Sequence, residues 1–371
     1  MSKIKISTLT PVHIGSGNFL QYNTDFVVTR KNTDSYLNII DERKILELIG
    51  VVHLNDWVLS IERNEDTQEL VKRYSPHSSV SDYILRCSIS YSSIVPTDTL
   101  KECIHDGLGV PYIPGSSIKG AIRTALVATL SQEIIPSLLD KPNLKHLASD
   151  VEGKLFGKDP KEDVFRFLQV GDAYFDKGSE IVLRLIMGLN ITQNKSLRPK
   201  KNDSKPQLVE AIGVDEEAIF SLKINMDYYL KASNISDKIG KMPDEMRTVP
   251  ALFHLINKHT STLLTQEIDF WEREGRDKIG MEDYVEKIKE MLDEVNKCEG
   301  DNQSCVLRVG HASGWRFITG AWSEQLPFFE SFVMNAARPG NRNRYNDYPF
   351  PKSRRMDFDG DLMGFVKLSM L

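Results

Sequence analysis

Cysteine is scarce in this chain, and its spacing argues against a metal site built from thiolates. No two cysteines form the CxxC pair that zinc sites commonly use. Free thiols at such low density are typical of a reducing compartment. We therefore expect no metal and no cofactor. The 371 residues contain only Cys87, Cys103, Cys298 and Cys305.

Long apolar runs are also missing. No stretch of about 18 apolar residues is present, which argues against a membrane-spanning helix. The first ten residues, MSKIKISTLT, lack the apolar core of a signal peptide. We therefore expect a cytoplasmic protein without a membrane partner.

An excess of positive charge, the usual mark of a nucleic-acid-binding domain, is absent as well. The chain has 47 Lys and Arg against 52 Asp and Glu, a net charge of −5. The charge is unevenly distributed, however. Segment 195–205 carries +4, segment 308–355 carries +5, and segment 261–300 carries −6. Because the local field decides what a groove binds, we expect weak RNA binding by the free chain and stronger binding in an assembly.

Both halves of the chain begin with a strand-like segment and a glycine-rich loop. In the first strand Ile4, Ile6 and Thr8 alternate with polar residues, which is the period of a half-buried strand. In the first half, residues 54–86 have apolar residues at helical spacing. In the second half, residues 249–299 have a helical and acidic composition. A length of 371 residues fits two domains. We predict an α+β fold with domains at 1–165 and 166–371, with helical insertions near 54–86 and 249–299.

A serine-rich helix start lies in the first half. Ser116 can cap a helix that we predict over 116–130, and the small residues around it leave N–H groups open to an anion. Lys119 and Arg123 are four residues apart and share one helix face. The pattern indicates a phosphate site, although an ordinary helix cap with two solvated cations would give the same pattern.

A histidine opens the first glycine-rich loop, which contains Gly15, Ser16 and Gly17. A histidine in this position can stack on a base, act as a general acid or base, or be purely structural. No second group is placed by the sequence to complete a ribonuclease-like pair with His13. We therefore assign no catalytic residue.

Basic residues and aromatic rings are interleaved from 308 to 355, as in proteins that bind single-stranded nucleic acid. The alternative is that the rings belong to the core and the arginines to a solvated rim. Segment 195–205 is predicted to be a flexible basic loop. The candidate cations of these two segments are Arg198, Lys200, Lys201, Lys352, Arg354 and Arg355.

Three segments, in this order, resemble the RAMP superfamily of CRISPR proteins: 10–17, 112–123 and 308–315. Their spacing is similar to that in the fifth subunits of type III-A (Csm) effector complexes, and 351–355 and 364–366 fit the same pattern. The resemblance implies two ferredoxin-like (RRM-like) domains with inserted helices. It also implies a non-catalytic subunit that caps the 3′ end of a crRNA.

The resemblance further implies partners and contacts. The partners would be crRNA, target RNA indirectly, the repeated backbone RAMP subunit, the small helical subunit and host nucleases that trim crRNA during maturation for antiviral defence. RNA contacts would come from the glycine loops and the helix start. By the resemblance these contacts are Gly15, Ser16, Gly17, Gly115, Ser116, Ser117, Lys119, Arg123, Gly310, His311, Gly314 and Arg316. We add His13 as a candidate RNA contact that can stack on a base.

Three other functions fit parts of the sequence. The chain can be a RAMP endoribonuclease that processes crRNA with His13 as acid or base. It can be the equivalent RAMP subunit of a type III-B complex. It can also be a scaffold whose acidic helices at 261–300 dock a protein partner.

Overall fold

The structure of the protein is a computed structural model that describes residues 2–31, 34–90, 99–138, 146–191, 196, 206–329, 351 and 353–371. The strands of these ranges, in chain order, are β1 (Ser2–Thr8), β2 (Gly15–Gln21), β3 (Phe26–Lys31), β4 (Asp34–Ile40), β5 (Ile84–Ser90), β6 (Thr99–Cys103), β7 (Tyr112–Ile113), β8 (Leu168–Val170), β9 (Ala173–Phe175), β10 (Ile181–Asn190), β11 (Gln207–Ile212), β12 (Glu217–Ile224), β13 (Ser304–Arg308), β14 (Ser353–Asp357) and β15 (Phe365–Met370).

The α-helices of the same ranges are α1 (Glu42–Ile49), α2 (Leu54–Glu62), α3 (Thr67–Tyr74), α4 (Gly115–Leu138), α5 (Leu147–Phe156), α6 (Met226–Ile235), α7 (Val249–Glu274) and α8 (Met281–Glu299). Helix α1 begins at Asp41, whose side chain accepts from the N–H groups of Arg43 and Lys44. Among these helices none combines the length and the apolar character that a membrane crossing needs.

The first sheet joins the two ends of the chain. Its strand order is β13–β15–β1–β12–β9–β7, and β8 also pairs with β12. All of these pairings are antiparallel. In β1, Ile4 and Ile6 are buried while Lys3 is exposed, as the alternation predicts. The sheet forms only when residues near both termini come together.

The second sheet has the order β2–β6–β11–β10–β5–β4–β3, with β14 paired to β10. The pairs β6–β11 and β5–β10 are parallel, and the remaining pairs are antiparallel. Strand β2 begins within the glycine-rich loop that the sequence predicts, because Gly15, Ser16 and Gly17 are its first three residues. That loop therefore runs from the first sheet to the second.

Helices α4 and α7 cover the inner face of the first sheet and form its hydrophobic core with it. Side chains of helix α7 also form hydrogen bonds with backbone groups of the edge strand β13. Asn257 donates to the Ser304 carbonyl oxygen and accepts from Val306 N, each at 3.0 Å, and Thr260 donates to the Val306 carbonyl oxygen. A covered strand edge cannot pair with another chain.

The α+β fold predicted from the sequence is confirmed, and helices occur in both predicted insertions. The boundary between 165 and 166 does not separate the two sheets, because each sheet takes strands from both sides of it. The division into two domains therefore stays a prediction. Two helices were not predicted, α5 and α6.

Protonation of a buried histidine should make the fold sensitive to acid. Burial within α7 lowers the pKa of His259 to about 4, and its exposed fraction is 6%. Because the unfolded chain binds this proton near pH 6.5, stability is complete above that pH and falls as the pH drops toward 4. In His259→Leu, the loss of unfolding free energy between pH 7 and pH 4.5 should be smaller by about 2 kcal/mol. Urea titrations across this range measure it.

The matched control is His254→Leu, at an exposed position on the same helix. It should show the same pH dependence as the unchanged chain. An equal acid sensitivity in His259→Leu and in the unchanged chain would contradict the assignment.

Candidate nucleic-acid interface

A groove of about 740 Å³ opens where the loop before β2 meets the loop after β13. Three segments that are far apart in sequence line it. Gly15 and Gly17 come from the first loop, Ser117 from the start of α4, and Gly310 and Gly314 from the last loop. Three of the segments in which the sequence predicts RNA contacts are therefore brought to one groove.

The first loop is held by two carboxylate-bearing residues of the second sheet. His13 Nδ1 lies 2.5 Å from the Glu210 carbonyl oxygen of β11. Ser16 Oγ and Asn18 Nδ2 each lie 2.9 Å from Glu102 Oε2 of β6. The His13 ring is only 3% exposed, and burial lowers its pKa. His13 therefore supports the groove wall more than it offers a ring to solvent.

The last loop packs directly against the first. His311 N donates to the His13 carbonyl oxygen at 2.9 Å, and the two imidazole rings meet edge to face with centroids 5.6 Å apart. Gly310 has φ +78°, and a Cβ there would lie against the same carbonyl oxygen. Glycine is required at this position by both the backbone conformation and the close approach.

Two cations lie side by side on the groove floor. Lys101 Nζ and Arg355 Nη1 lie 2.9 and 3.3 Å from Gln207 Oε1, to which both can donate. Burial, and then the charge of Arg355, lower the pKa of Lys101. His311 adds no third charge at neutral pH, because burial lowers its pKa to about 4. An anion between the two cations would relieve their repulsion.

Apolar side chains stand beside these cations. Phe19 is 62% exposed, with Lys101 Nζ 5.7 Å from its ring centroid, and Ile318 is 55% exposed. Trp315 lines the groove opposite the first loop. A second groove of about 880 Å³ continues past Trp315, and the two share Ser117, Gly310, Trp315 and Ile318 in their walls. The combined path suits a strand with phosphates and stacking bases.

The start of α4 differs from the open anion site that the sequence predicts. Gly115 N donates to Asp172 Oδ1 at 2.7 Å, so the protein's own carboxylate takes the first N–H group. A Cβ at Gly115 would meet the carbonyl oxygens of Val170 and Gly171. Gly115 is thus required by packing. Of the two serines, Ser116 is exposed outside the groove and Ser117 lines it.

The sequence predicts that the two cations on α4 are free to bind a phosphate. In the structure both are bound to groups of the protein itself. Lys119 Nζ donates to the Leu168 carbonyl oxygen at 2.7 Å. Arg123 forms ion pairs with Glu152 and Asp163 at 2.8 and 2.9 Å. Their spacing does put them on one helix face, but that face packs on protein.

Two arginines of the C-terminal segment are also engaged inside the protein. Arg316 pairs with Glu324 at 3.0 Å, and Arg354 pairs with Glu267 at 2.5 Å. Among the predicted C-terminal cations that lie within the described ranges, only Arg355 is exposed in the groove. Four predicted cations lie outside the described residues: Arg198, Lys200, Lys201 and Lys352.

One set of ligand-type side chains lies below the groove. Ligand atoms of Glu102, His105 and Glu210 come within 4.8 Å of one another. Arg86 Nη2 pairs with both carboxylates, at 2.9 and 3.0 Å. The guanidinium thus supplies the positive charge of this cluster, and a metal ion would have to displace it.

The sequence patterns missed two groove residues, Lys101 and Phe19. Both belong to strands whose neighbours are fixed by long-range pairing, β6 to β11 and β2 to β6. Lys101 offers no clear local signal, because the five residues of β6 do not alternate between apolar and polar. The face to which Lys101 points is set by the rest of the sheet.

Comparison with known proteins agrees with this fold. The RAMP superfamily profile matches residues 5–310, so the chain belongs to the RAMP superfamily. A curated relative, the CRISPR system Cms protein Csm5 of Methanocaldococcus jannaschii, is 26% identical over 327 residues, which are 84% of this chain and 71% of that protein. The Csm5 protein of Streptococcus thermophilus is 27% identical over 174 residues, 43% of each chain.

Two solved structures share the fold over nearly the whole length. One is a chain in the cryo-EM structure of a Csm–crRNA–target RNA ternary complex of a type III-A CRISPR–Cas system, with a TM-score of 0.72, 20% identity and full coverage of both chains. The other is the crystal structure of T. onnurineus Csm5, with a TM-score of 0.64, 19% identity and coverage of 98% and 99%.

The internal partners of Arg123 predict a structural role for it. Besides its ion pairs, its guanidinium lies 4.6 Å from the Phe156 ring centroid and 5.1 Å from that of Phe165. Arg123→Ala should lower the unfolding free energy by about 1–2 kcal/mol, because partly exposed ion pairs and ring contacts are each worth about 0.5–1 kcal/mol. Denaturant titration measures this loss.

Arg43→Ala, at an exposed position on α1, is the control and should change stability by less than about 0.5 kcal/mol. If Arg123→Ala kept full stability but lost RNA affinity, Arg123 would be an RNA contact and not a structural cation.

Proposed function

We propose that this protein is a non-catalytic, RNA-binding subunit of a type III-A CRISPR (Csm) effector complex, and that it caps the 3′ region of the crRNA. One observation carries the proposal. The glycine loops and the start of α4 converge on a single groove with two adjacent cations, Lys101 and Arg355. Phosphate contacts of this kind position a strand without reading its sequence. A guide whose sequence varies from one crRNA to the next requires this kind of binding.

The relatives support the choice of assembly. Curated proteins that are similar to this chain carry the name Csm5, and a chain of the same fold is part of a complex described as holding crRNA and target RNA. By this likeness the partners are crRNA, the repeated backbone RAMP subunit and the small helical subunit. The proposal includes a role in crRNA maturation, with host nucleases as the trimming enzymes.

The two groove cations predict the behaviour of RNA binding. In the Lys101→Gln/Arg355→Gln variant, affinity for single-stranded RNA should fall about tenfold or more at low ionic strength, and equally for unrelated sequences. The slope of log K against log salt should also become shallower by about 1–1.5, at roughly 0.7 per phosphate. Fluorescence anisotropy with two RNAs of unrelated sequence measures both quantities.

The matched control is Lys3→Gln/Lys223→Gln, which removes the same charge from exposed positions on the outer face of the first sheet. It should leave the affinity and the slope close to those of the unchanged chain. An equal loss in both double variants would mean that general charge, and not this groove, binds the RNA.

A ribonuclease is the second candidate, because His13 and His311 face each other in the groove wall. RNA cleavage by two histidines needs one as base and the other, protonated, as acid. Burial lowers the pKa of both rings, that of His311 to about 4. Near pH 7 the acid is therefore missing, which favours binding without cleavage.

The absence of catalysis is directly testable. Purified protein incubated with single-stranded RNA at pH 7 should leave the RNA intact, and His13→Ala/His311→Ala should give the same gel pattern. Cleavage by the unchanged chain that disappears in the double variant, with RNA binding retained, would overturn the non-catalytic assignment in favour of the endoribonuclease.

A further inference from the structure

A small cavity of about 50 Å³ lies at the inner end of the groove, between α7 and the last loop. Four arginines line it: Arg308 from β13, Arg316 directly after the last loop, and Arg354 and Arg355 from β14. We call it the arginine pocket. Its walls share Gly314 and Trp315 with the groove, so the pocket is continuous with the path proposed for RNA.

The charges around the arginine pocket do not balance within the described residues. Arg354 makes a two-point contact with Glu267, with N···O distances of 2.5 and 2.8 Å. Arg316 Nε donates to the Glu324 carboxylate at 3.0 and 3.2 Å. With Arg355, four guanidinium groups thus face two carboxylates, which leaves a charge of +2.

Of these four arginines, Arg308 is the one that is removed from water without a carboxylate partner in the part of the chain that the structure describes. It donates to the carbonyl oxygens of Met363 at 2.9 Å and Ala312 at 3.3 Å. Its guanidinium lies 4.6 Å from the Phe365 ring centroid and 5.0 Å from that of Phe317. Loss of water lowers the pKa of Arg308, but arginine stays protonated in proteins. Its charge is therefore removed from water without an opposite charge.

A second donor near the pocket is also unused. Arg316 Nη1 is buried and has no hydrogen-bond partner among the described residues, although it lies 3.5 Å from Glu267 Oε2. A buried donor without an acceptor destabilises the folded chain. Both features, the unbalanced charge and the unused donor, point to an anion that accepts hydrogen bonds.

We propose that the arginine pocket binds one phosphate group, brought to it by RNA in the groove. Phosphate oxygens form strong, often two-point, hydrogen bonds with guanidinium groups. A cavity of about 50 Å³ holds a single phosphate but not the nucleoside attached to it. The inference that RNA supplies the phosphate rests on the proposed function, whereas binding of phosphate itself does not.

Inorganic phosphate tests the pocket alone. At ten times its Kd, phosphate should raise the thermal midpoint of the unchanged chain by about 2 °C or more over chloride at equal ionic strength. Arg308→Gln and, separately, Arg316→Gln should abolish this shift, so that the test survives if one variant fails to fold. The control Arg273→Gln, on an exposed arginine of α7, should keep it. No shift in the unchanged chain, or the same shift in all three variants, would overturn the pocket.

Three versions of one RNA oligonucleotide identify the source of the phosphate: one with a 3′-phosphate, one with a 5′-phosphate and one with hydroxyls at both ends. A terminal phosphate should strengthen binding about tenfold, and Arg308→Gln should remove the difference. If Arg308→Gln instead weakens binding of all three equally, the pocket takes an internal phosphate. If RNA binds normally and Arg308→Gln changes nothing, RNA does not use the pocket. If RNA fails to bind but inorganic phosphate still stabilises the chain, the proposed function fails and the pocket stands.

Discussion

The buried carboxylate of Glu210 is the constraint on which the groove depends. Its side chain is fully buried in the second sheet, where an unpaired charge would cost several kcal/mol. Arg86, the Ser88 hydroxyl and Cys103 N donate to it at 3.0 to 3.1 Å. These donors come from β5 and β6, on either side of the β10–β11 hairpin. One acid therefore fixes the relative positions of the strands around it.

The same network sets the shape of the glycine-rich loop. Arg86 extends from Glu210 to Glu102, whose other oxygen accepts from Ser16 of the loop, while the Glu210 carbonyl oxygen holds the His13 ring. The last loop then packs on the His13 backbone. The loops that form the groove are thus held by a hydrogen-bond network whose buried part is the Arg86–Glu210 ion pair. This network explains why the loop residues lie in a fixed arrangement.

Local sequence patterns predicted the strands and helices whose formation depends on neighbouring residues in the chain. The alternation in β1, the helix after Ser116 and the acidic helices follow from side-chain period and from capping tendency, and the structure has them. The spacing of residues along a helix does not predict whether the face they share points to solvent or packs on protein. Lys119 and Arg123 turn inward because Glu152, Asp163 and aromatic rings from later in the chain meet that face. Nor does sequence show that Lys101 and Arg355 share a floor, since β6 and β14 meet only through β10 and β11.

Net charge proves to be a poor guide because opposite charges are kept apart. The acids of α8, such as Glu282, Glu286 and Glu290, lie on its exposed side, whereas the acid nearest the groove, Glu102, is already paired with Arg86. Exposed charges more than about 8 Å apart are largely screened at physiological salt. The field in the groove is therefore set by Lys101 and Arg355. Two cations neutralise few phosphates, so we expect the free chain to hold RNA weakly, and we expect firm binding only where partner subunits extend the basic path along the same strand.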